Sequence, residues 1–176
     1  MHRLFVAIRP PEDVRDRLLD LMKGVPDLRW QTDEQLHLTL RFIGEVERPV
    51  AEDIALALTA IRFERFAIAL DGVGMFEKRR HGALWAGVQP KDELKALNAK
   101  VERACQAAGL APEHRAYHPH ITLARWKGRM PGLDAFLDAH GGLTSAAWEV
   151  DKFLLYESHL GHSGAHYEPV ERFALH

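Results

Sequence analysis

The chain has 176 residues, 47% of them hydrophobic, with a formal net charge of −2 and a pI of about 6.6. This is enough for one large domain or two small lobes around a core. The charge balance excludes a globally basic surface that grips a long duplex, so any nucleic-acid contact should be local.

Location in the cell is predicted from apolar runs and cysteine usage. No segment approaches the ~20 apolar residues that span a bilayer, and the first apolar run is too short for a signal peptide. The only cysteine, Cys105, cannot form an internal disulfide and lies in a helix-like segment, where a buried thiol is common. We therefore expect a cytoplasmic protein without membrane association.

A strand followed by a helix opens the chain, and the same unit returns later. Residues 4–8 read as a buried strand, and Pro10-Pro11 with acidic residues begins a helix that runs to about Met22. Residues 82–88 read as a strand before a second helix that ends near Ala108. Aligning Ile8 with Val88 gives an offset of 80 residues. This internal repeat predicts two related lobes.

The remaining segments complete an α+β pattern. The residues predict a helix over 50–61, a strand over 66–70 that leads into glycine-bearing turns, a short helix over 133–139, and strands over 148–156 and 167–175. No glycine-rich phosphate turn follows any strand, which favours antiparallel pairing over a doubly wound sheet. The charged segment 77–81 is expected to be a solvated turn.

Two tetrapeptides of one pattern lie within predicted strands, His37-Leu38-Thr39-Leu40 and His120-Ile121-Thr122-Leu123. Because side chains alternate along a strand, the histidine and threonine of each motif share one face and the aliphatic residues point to the other. The motifs are 83 residues apart, close to the offset of the strand–helix units. We therefore predict that residues 1–176 form a single domain of two duplicated, pseudo-symmetric lobes, each with an antiparallel sheet and helices, around a central active-site cleft.

Such a pair of motifs predicts acid–base chemistry on a phosphodiester. An imidazole with a pKa near 6.5 can act as acid or base near neutrality. Each threonine hydroxyl can donate a hydrogen bond to an anionic oxygen. Since the chain has no cysteine or serine nucleophile motif, this set fits in-line attack of water or a hydroxyl, with neither metal nor cofactor.

Two other interpretations stay open. A His-x-Thr on a strand is usually structural, so one alternative is that the motifs are duplicated structural elements. A metal site is the second alternative, because His114, His118 and His120 with His37 resemble a ligand set, although no His-Glu-x-x-His helix or cysteine pair exists. The other histidines, His140, His159, His162, His166 and His176, are expected at the surface.

The motifs and their flanks resemble the two-histidine (2H) phosphoesterase superfamily, and within it the RNA 2′,3′-cyclic phosphodiesterases of bacteria and archaea, also called 2′-5′ RNA ligases. The resemblance covers nearly the whole chain and includes residues 4–8, 41–46 and 117–125. It implies a bilobal α+β fold. It also implies hydrolysis of a terminal 2′,3′-cyclic phosphate on RNA to a 2′-phosphomonoester, with 2′-5′ ligation as the reverse chemistry of some members.

The same resemblance implies roles for the motif residues. His37 is the expected proton donor to the departing 3′-oxygen, and His120 is the expected proton acceptor that activates water. Thr39 and Thr122 are expected to hold phosphate oxygens.

Three flanking residues are further candidates for substrate binding. Arg125 matches an arginine that follows the second motif in this family, but a regular strand would point it away from the cleft unless the strand bulges near Ala124. Arg41 is expected on the face of His37. Phe42 can stack a terminal base, as can Trp30 and Trp126, although an aromatic beside a strand is more often part of the core.

The expected partners are RNA 3′ ends bearing 2′,3′-cyclic phosphate, bound by a monomer through the terminal nucleotides only. Two alternative functions remain. One is an esterase acting on a small cyclic nucleotide or on an ADP-ribose cyclic phosphate. The other is a non-catalytic RNA-end binding protein.

Overall fold

Nine strands and four helices build the fold in a computed structural model, which describes residues 1–176. A 3-10 turn at Asp33–Gln35 precedes the third strand. In chain order the elements are β1 (His2–Ile8), α1 (Glu12–Leu21), β2 (Arg29–Trp30), β3 (Leu38–Val46), α2 (Arg48–Thr59), β4 (Phe66–Lys78), β5 (His81–Gln89), α3 (Asp92–Ala107), β6 (His120–Lys127), α4 (Asp134–His140), β7 (Trp148–Val150), β8 (Lys152–Gly161) and β9 (Gly164–Ala174).

The strands form one antiparallel sheet in the order β7-β4-β5-β6-β3-β1-β8-β9, with β2 paired to β6. We call β1, β3, β8 and β9 the His37 half-sheet, and β2, β4, β5, β6 and β7 the His120 half-sheet. The halves meet where β3 and β6 share a single residue pair, Leu38 with Ile121. The predicted α+β fold with two lobes is therefore confirmed, with the two lobe sheets joined through this one pair.

The helices cover one face of the sheet. Acidic residues open both α1 and α3, Glu12 in one and Asp92 in the other, so the 80-residue offset holds in the structure. All four helices contribute apolar side chains to one continuous core. A second, smaller cluster around Phe5 and Tyr156 lies on the opposite face, which is left for the cleft. None of the helices is long and apolar enough to cross a membrane.

Two predicted strands differ from the observed ones. β4 does not end at residue 70 but continues through Gly72 and Gly74. Both glycines lie within the strand and do not form a turn. Gly72 takes a φ of +71° at a break in the register with β5, and a Cβ on Gly74 would clash with the Trp85 ring. The segment 148–156 is divided at Asp151 into β7, which pairs with β4, and β8, which pairs with β1.

Candidate active site

The junction of the half-sheets brings the two motifs together. Leu38 and Ile121 are directly opposed in antiparallel register. Extending that register by one residue in each direction sets His37 across from Thr122 and Thr39 across from His120. The pseudo-twofold axis therefore passes through the Leu38–Ile121 pair. Both buried aliphatic side chains belong to the helix-side core, so the histidines and threonines are on the opposite, cleft-facing side.

Both imidazoles are held in the same way. His37 Nδ1 lies 2.7 Å from the carbonyl oxygen of Gln35, and His120 Nδ1 lies 2.6 Å from that of His118. A carbonyl only accepts, so this pattern assigns the proton of each neutral ring to Nδ1. In both motifs the anchoring carbonyl is two residues before the histidine. Nε2 is thus the unprotonated nitrogen of each neutral ring.

The His37 ring is already engaged by the threonine of its own motif. Its Nε2 lies 2.9 Å from Thr39 Oγ1, so the hydroxyl donates to the unprotonated nitrogen. Burial lowers the pKa of His37 to about 4, and the positive charges of Arg125 and Arg9 act in the same direction. Burial also lowers the pKa of His120. Both imidazoles are therefore neutral at pH 7 in the free protein.

Aromatic side chains fix the plane of each imidazole. The His37 ring centroid lies 4.8 Å from that of Phe5 and 5.4 Å from that of Tyr167. The His120 ring lies 5.0 Å from Phe76 and 6.0 Å from Trp85. Phe5 and Tyr167 lie on β1 and β9, Phe76 and Trp85 lie on the β4–β5 hairpin, and none of them belongs to a His-x-Thr-Leu motif. These packing contacts restrict the orientation of each ring.

A β-bulge in the second motif decides the position of Arg125. Consecutive residues of β5, Leu84 and Trp85, pair with Ala124 and Thr122, so Leu123 has no partner. The extra residue reverses the alternation beyond it. Arg125 is consequently exposed on the same face as Thr122, and its charge lowers the pKa of both motif histidines. The bulge that Arg125 needs to face the cleft is present.

The first motif contains the corresponding bulge at Leu40, and it corrects the expected position of Arg41. Ala7 and Val6 of β1 pair with Thr39 and Arg41, which leaves Leu40 unpaired. Arg41 therefore does not share the face of His37.

Arg41 points instead to the helix side of the sheet. Its side chain is 8% exposed, its Nε lies 2.7 Å from Glu102 Oε1 of α3, and it donates further hydrogen bonds to the carbonyls of Phe42 and Ala111. Phe42 takes the cleft-facing position and is 46% exposed. Phe42 and Arg125 thus occupy equivalent positions in the two motifs.

A cavity of about 590 Å³ opens beside the motifs. Its lining includes Thr39, Arg41, Phe42, Phe76, Tyr117 and His120, whereas His37 and Thr122 are outside the lining. The Tyr117 hydroxyl donates to the carbonyl of Thr39 at 2.8 Å, which ties the segment before β6 to β3. The other two aromatic candidates lie elsewhere: Trp126 is buried in the core and Trp30 packs on Phe136.

The turn before the first motif is held by Arg9, a residue that the sequence did not single out. Its Nη1 donates to the carbonyls of Asp33 and Leu36, both at 2.7 Å. Within this turn the Gln35 side chain donates to the carbonyl of Ala165 in β9. The carbonyl that orients His37 is therefore fixed from two sides.

The histidines considered as metal ligands do not converge. Three His, Cys, Asp or Glu side chains approach within 4.8 Å of one another only at Glu157, His159 and Glu168, on β8 and β9. The His118 side chain is exposed, and its backbone carbonyl accepts the hydrogen bond from His120 Nδ1. The histidines expected at the surface are exposed, except His140, which is partly buried against Phe136.

The chain matches the model of a known family over residues 10–162, the 2′-5′ RNA ligase superfamily. It is 42% identical to the RNA 2′,3′-cyclic phosphodiesterase of Aeropyrum pernix over 151 residues, which cover 84% of this chain and 85% of that protein. It is 30% identical to the RNA 2′,3′-cyclic phosphodiesterase of Escherichia coli, over 98% and 96% of the two chains. Among solved structures it resembles E. coli LigT complexed with 3′-AMP, with a TM-score of 0.83, 28% identity and coverage of 99% and 98%.

Proposed function

Because the chain belongs to the 2′-5′ RNA ligase superfamily, we propose that it is an RNA 2′,3′-cyclic phosphodiesterase, which opens the terminal cyclic phosphate of RNA to a 2′-phosphomonoester. The observation that carries this proposal is the pair of imidazoles across the pseudo-twofold axis, each held at Nδ1 by a carbonyl and presenting Nε2. A proton acceptor and a proton donor on opposite sides of one phosphorus atom match in-line displacement.

His120 is the proposed base. Its Nε2 has no hydrogen-bond partner within the protein and its lowered pKa keeps it unprotonated at neutral pH, so it can take a proton from the attacking water. The water then attacks phosphorus opposite the 3′-oxygen. The P–O3′ bond breaks, and the phosphate remains on the 2′-oxygen.

His37 is the proposed acid, which requires an imidazolium. With a pKa of about 4 the free protein holds little of that form at neutral pH. The cyclic phosphodiester carries a negative charge, and its arrival beside His37 favours the protonated ring and raises its pKa. Thr39 would then turn its hydroxyl from His37 Nε2 to a phosphate oxygen. Substrate binding thus prepares the acid, which protonates the departing 3′-oxygen. The 2′-5′ ligation expected of some members would run these proton transfers in reverse.

Thr39, Thr122 and Arg125 are the proposed phosphate ligands, and Phe42 is the proposed platform for the terminal base. Their positions on the cleft face support these roles. Charge-assisted hydrogen bonds of this kind contribute about 1.5–3 kcal/mol each. Arg41 is left out of the set because its guanidinium is bound to Glu102 and two carbonyls.

We further propose that the chain acts as a monomeric single domain in the cytoplasm, without metal. The continuous helix-side core supports one domain, and the buried free thiol of Cys105 is typical of a reducing compartment. The proposed partners are RNA 3′ ends that carry a 2′,3′-cyclic phosphate.

The test is turnover of an RNA ending in 2′,3′-cyclic phosphate in the presence of a chelator, followed by end-group analysis. We expect a 2′-phosphate product. We also expect that His37→Ala and His120→Ala each lower kcat by at least ~10²-fold, while the circular dichroism spectrum is unchanged. His162→Ala, an exposed turn histidine, is the matched control. A 3′-phosphate product, or activity only with added metal, would contradict the proposal.

A further inference from the structure

The β4–β5 turn and the strands beside it gather unpaired positive charge on the cleft face. Lys78 pairs in register with His81, and His81 with Lys127. One row closer to the motifs, Arg125 pairs with Ala83 on one side and with Arg29 on the other. We call Arg29, Lys78, Arg125 and Lys127 the cationic strip. All four are exposed, and every ion pair formed by a lysine or arginine lies elsewhere.

No negative charge balances this strip. The cleft-face positions of β2, β4, β5 and β6 between the motif and the turn hold no Asp or Glu, and Glu77 lies on the other face, opposite Gly82. Like charges on neighbouring strands repel one another and weaken the sheet. In the His37 half-sheet the cleft face beside the motif is apolar, formed by Phe5, Ala7, Leu154 and Tyr156. The cationic strip therefore has no acidic neighbour on its own face of these strands.

The strip is continuous with the proposed catalytic site. From Gly87, which pairs with His120, to His81, which pairs with Lys127, β5 spans about 20 Å. Phe76 lies between, 41% exposed, with its edge against the His120 ring. A row of cations interrupted by an exposed aromatic ring is the arrangement that binds single-stranded nucleic acid, through phosphates and base stacking. The length suits about three nucleotides at roughly twice the 3.4 Å duplex spacing.

We infer that the cationic strip binds the RNA strand on the 5′ side of the cyclic phosphate, so that the substrate leaves the cleft over the His120 half-sheet. This rests on the proposed function, and it replaces the sequence-based expectation that only terminal nucleotides are contacted. That expectation followed from a net charge of −2, which averages over the whole surface. The segment 77–81, expected to be a solvated turn, becomes part of the substrate surface.

The strip is tested by binding and turnover with RNAs of different length. The variant is Arg29→Gln/Lys78→Gln/Lys127→Gln, which leaves Arg125 in place. The matched control is Lys23→Gln/Lys95→Gln/Arg103→Gln, three exposed and unpaired cations with the same total charge change. The probes are a fluorescein-labelled RNA octanucleotide with a 3′-hydroxyl, followed by anisotropy, and a mononucleoside 2′,3′-cyclic phosphate, followed by turnover.

We expect the wild-type Kd for the octanucleotide to rise about tenfold or more between 50 and 200 mM salt, as neutralising about three phosphates predicts. The strip variant should bind about tenfold more weakly at 50 mM, and the control within twofold of wild type. Mononucleotide turnover should be within twofold for all three proteins. The inference is overturned if the strip variant and the control bind the octanucleotide with equal Kd, or if the wild-type Kd does not change with salt concentration. Absence of turnover of an RNA ending in 2′,3′-cyclic phosphate by the wild type contradicts the proposed function instead, and the anisotropy comparison still decides the strip.

Discussion

Acid should weaken the fold through His37 within a defined pH window. The ring has an ordinary pKa of 6.5 when the chain is unfolded, and burial lowers its pKa to about 4 in the folded protein. As the pH falls below 6.5, the His37 ring binds a proton in the unfolded chain but stays neutral in the folded protein. The stability that the fold gains by holding His37 neutral is therefore fully present above pH 6.5. It is lost as the pH falls from 6.5 to about 4 and is absent below that. At 1.36 kcal/mol for each pKa unit, the loss is about 3 kcal/mol.

The difference between the wild type and His37→Asn isolates this contribution, because other titrating groups affect both proteins alike. The asparagine amide can still donate to the Gln35 carbonyl. Urea denaturation at about pH 8 and about pH 4 should show the wild type losing about 3 kcal/mol more than the variant. His162→Asn, in an exposed turn, should behave as the wild type does.

Titration of the His37 ring by NMR provides the direct check. Its midpoint should lie near 4 in the free protein and should rise when inorganic phosphate is added, because an anion in the cleft favours the imidazolium. A midpoint near 6.5 without phosphate, or equal acid destabilisation of wild type and His37→Asn, would refute the reasoning.

Three substitutions separate substrate binding from folding. Arg125→Gln should raise KM about tenfold or more without changing urea stability, because its exposed side chain has no partner in the protein; an unchanged KM would remove it from the phosphate site. Arg41→Met should have the reverse effect. It should lower the free energy of unfolding by about 1–3 kcal/mol and leave KM within twofold, because Glu102 loses its ion-pair partner. A change in KM without loss of stability would contradict this. Tyr117→Phe, which leaves the Thr39 carbonyl without its donor, should lower the free energy of unfolding by about 1 kcal/mol in the same assay, and unchanged stability would show the bond to be dispensable.

Most of the strand and helix pattern was predictable, because it depends on local alternation and on helix-opening residues. β1, α1, β5 and α3 follow the predicted repeat closely. β4 was missed in part because glycine is read as a turn former. In the fold Gly74 instead makes room for the Trp85 ring, a neighbour that only pairing with β5 supplies.

Within the site, the sequence determined which face each motif residue takes up to the threonine, because alternation along three residues is a local property. The opposite faces of Arg41 and Arg125 were decided by the tertiary structure. Each motif bulges at its fourth residue, Leu40 or Leu123, and a bulge exists only relative to the neighbouring strand. One extra residue reverses the faces of the side chains that follow it, in β3 as far as a second unpaired residue at Ile43.

The sequence by itself determined two His-x-Thr-Leu motifs in repeated units, and hence the family, while the acid–base chemistry that they suggest stays a prediction. Only the tertiary structure decided how those motifs are used: the carbonyls that hold each Nδ1, the aromatic rings around the imidazoles, and the gathering of Arg29, Lys78 and Lys127 beside Arg125. The physical reason is distance along the chain. A motif is local, whereas charge density and burial arise from residues that lie far apart in sequence and meet only when the strands pair.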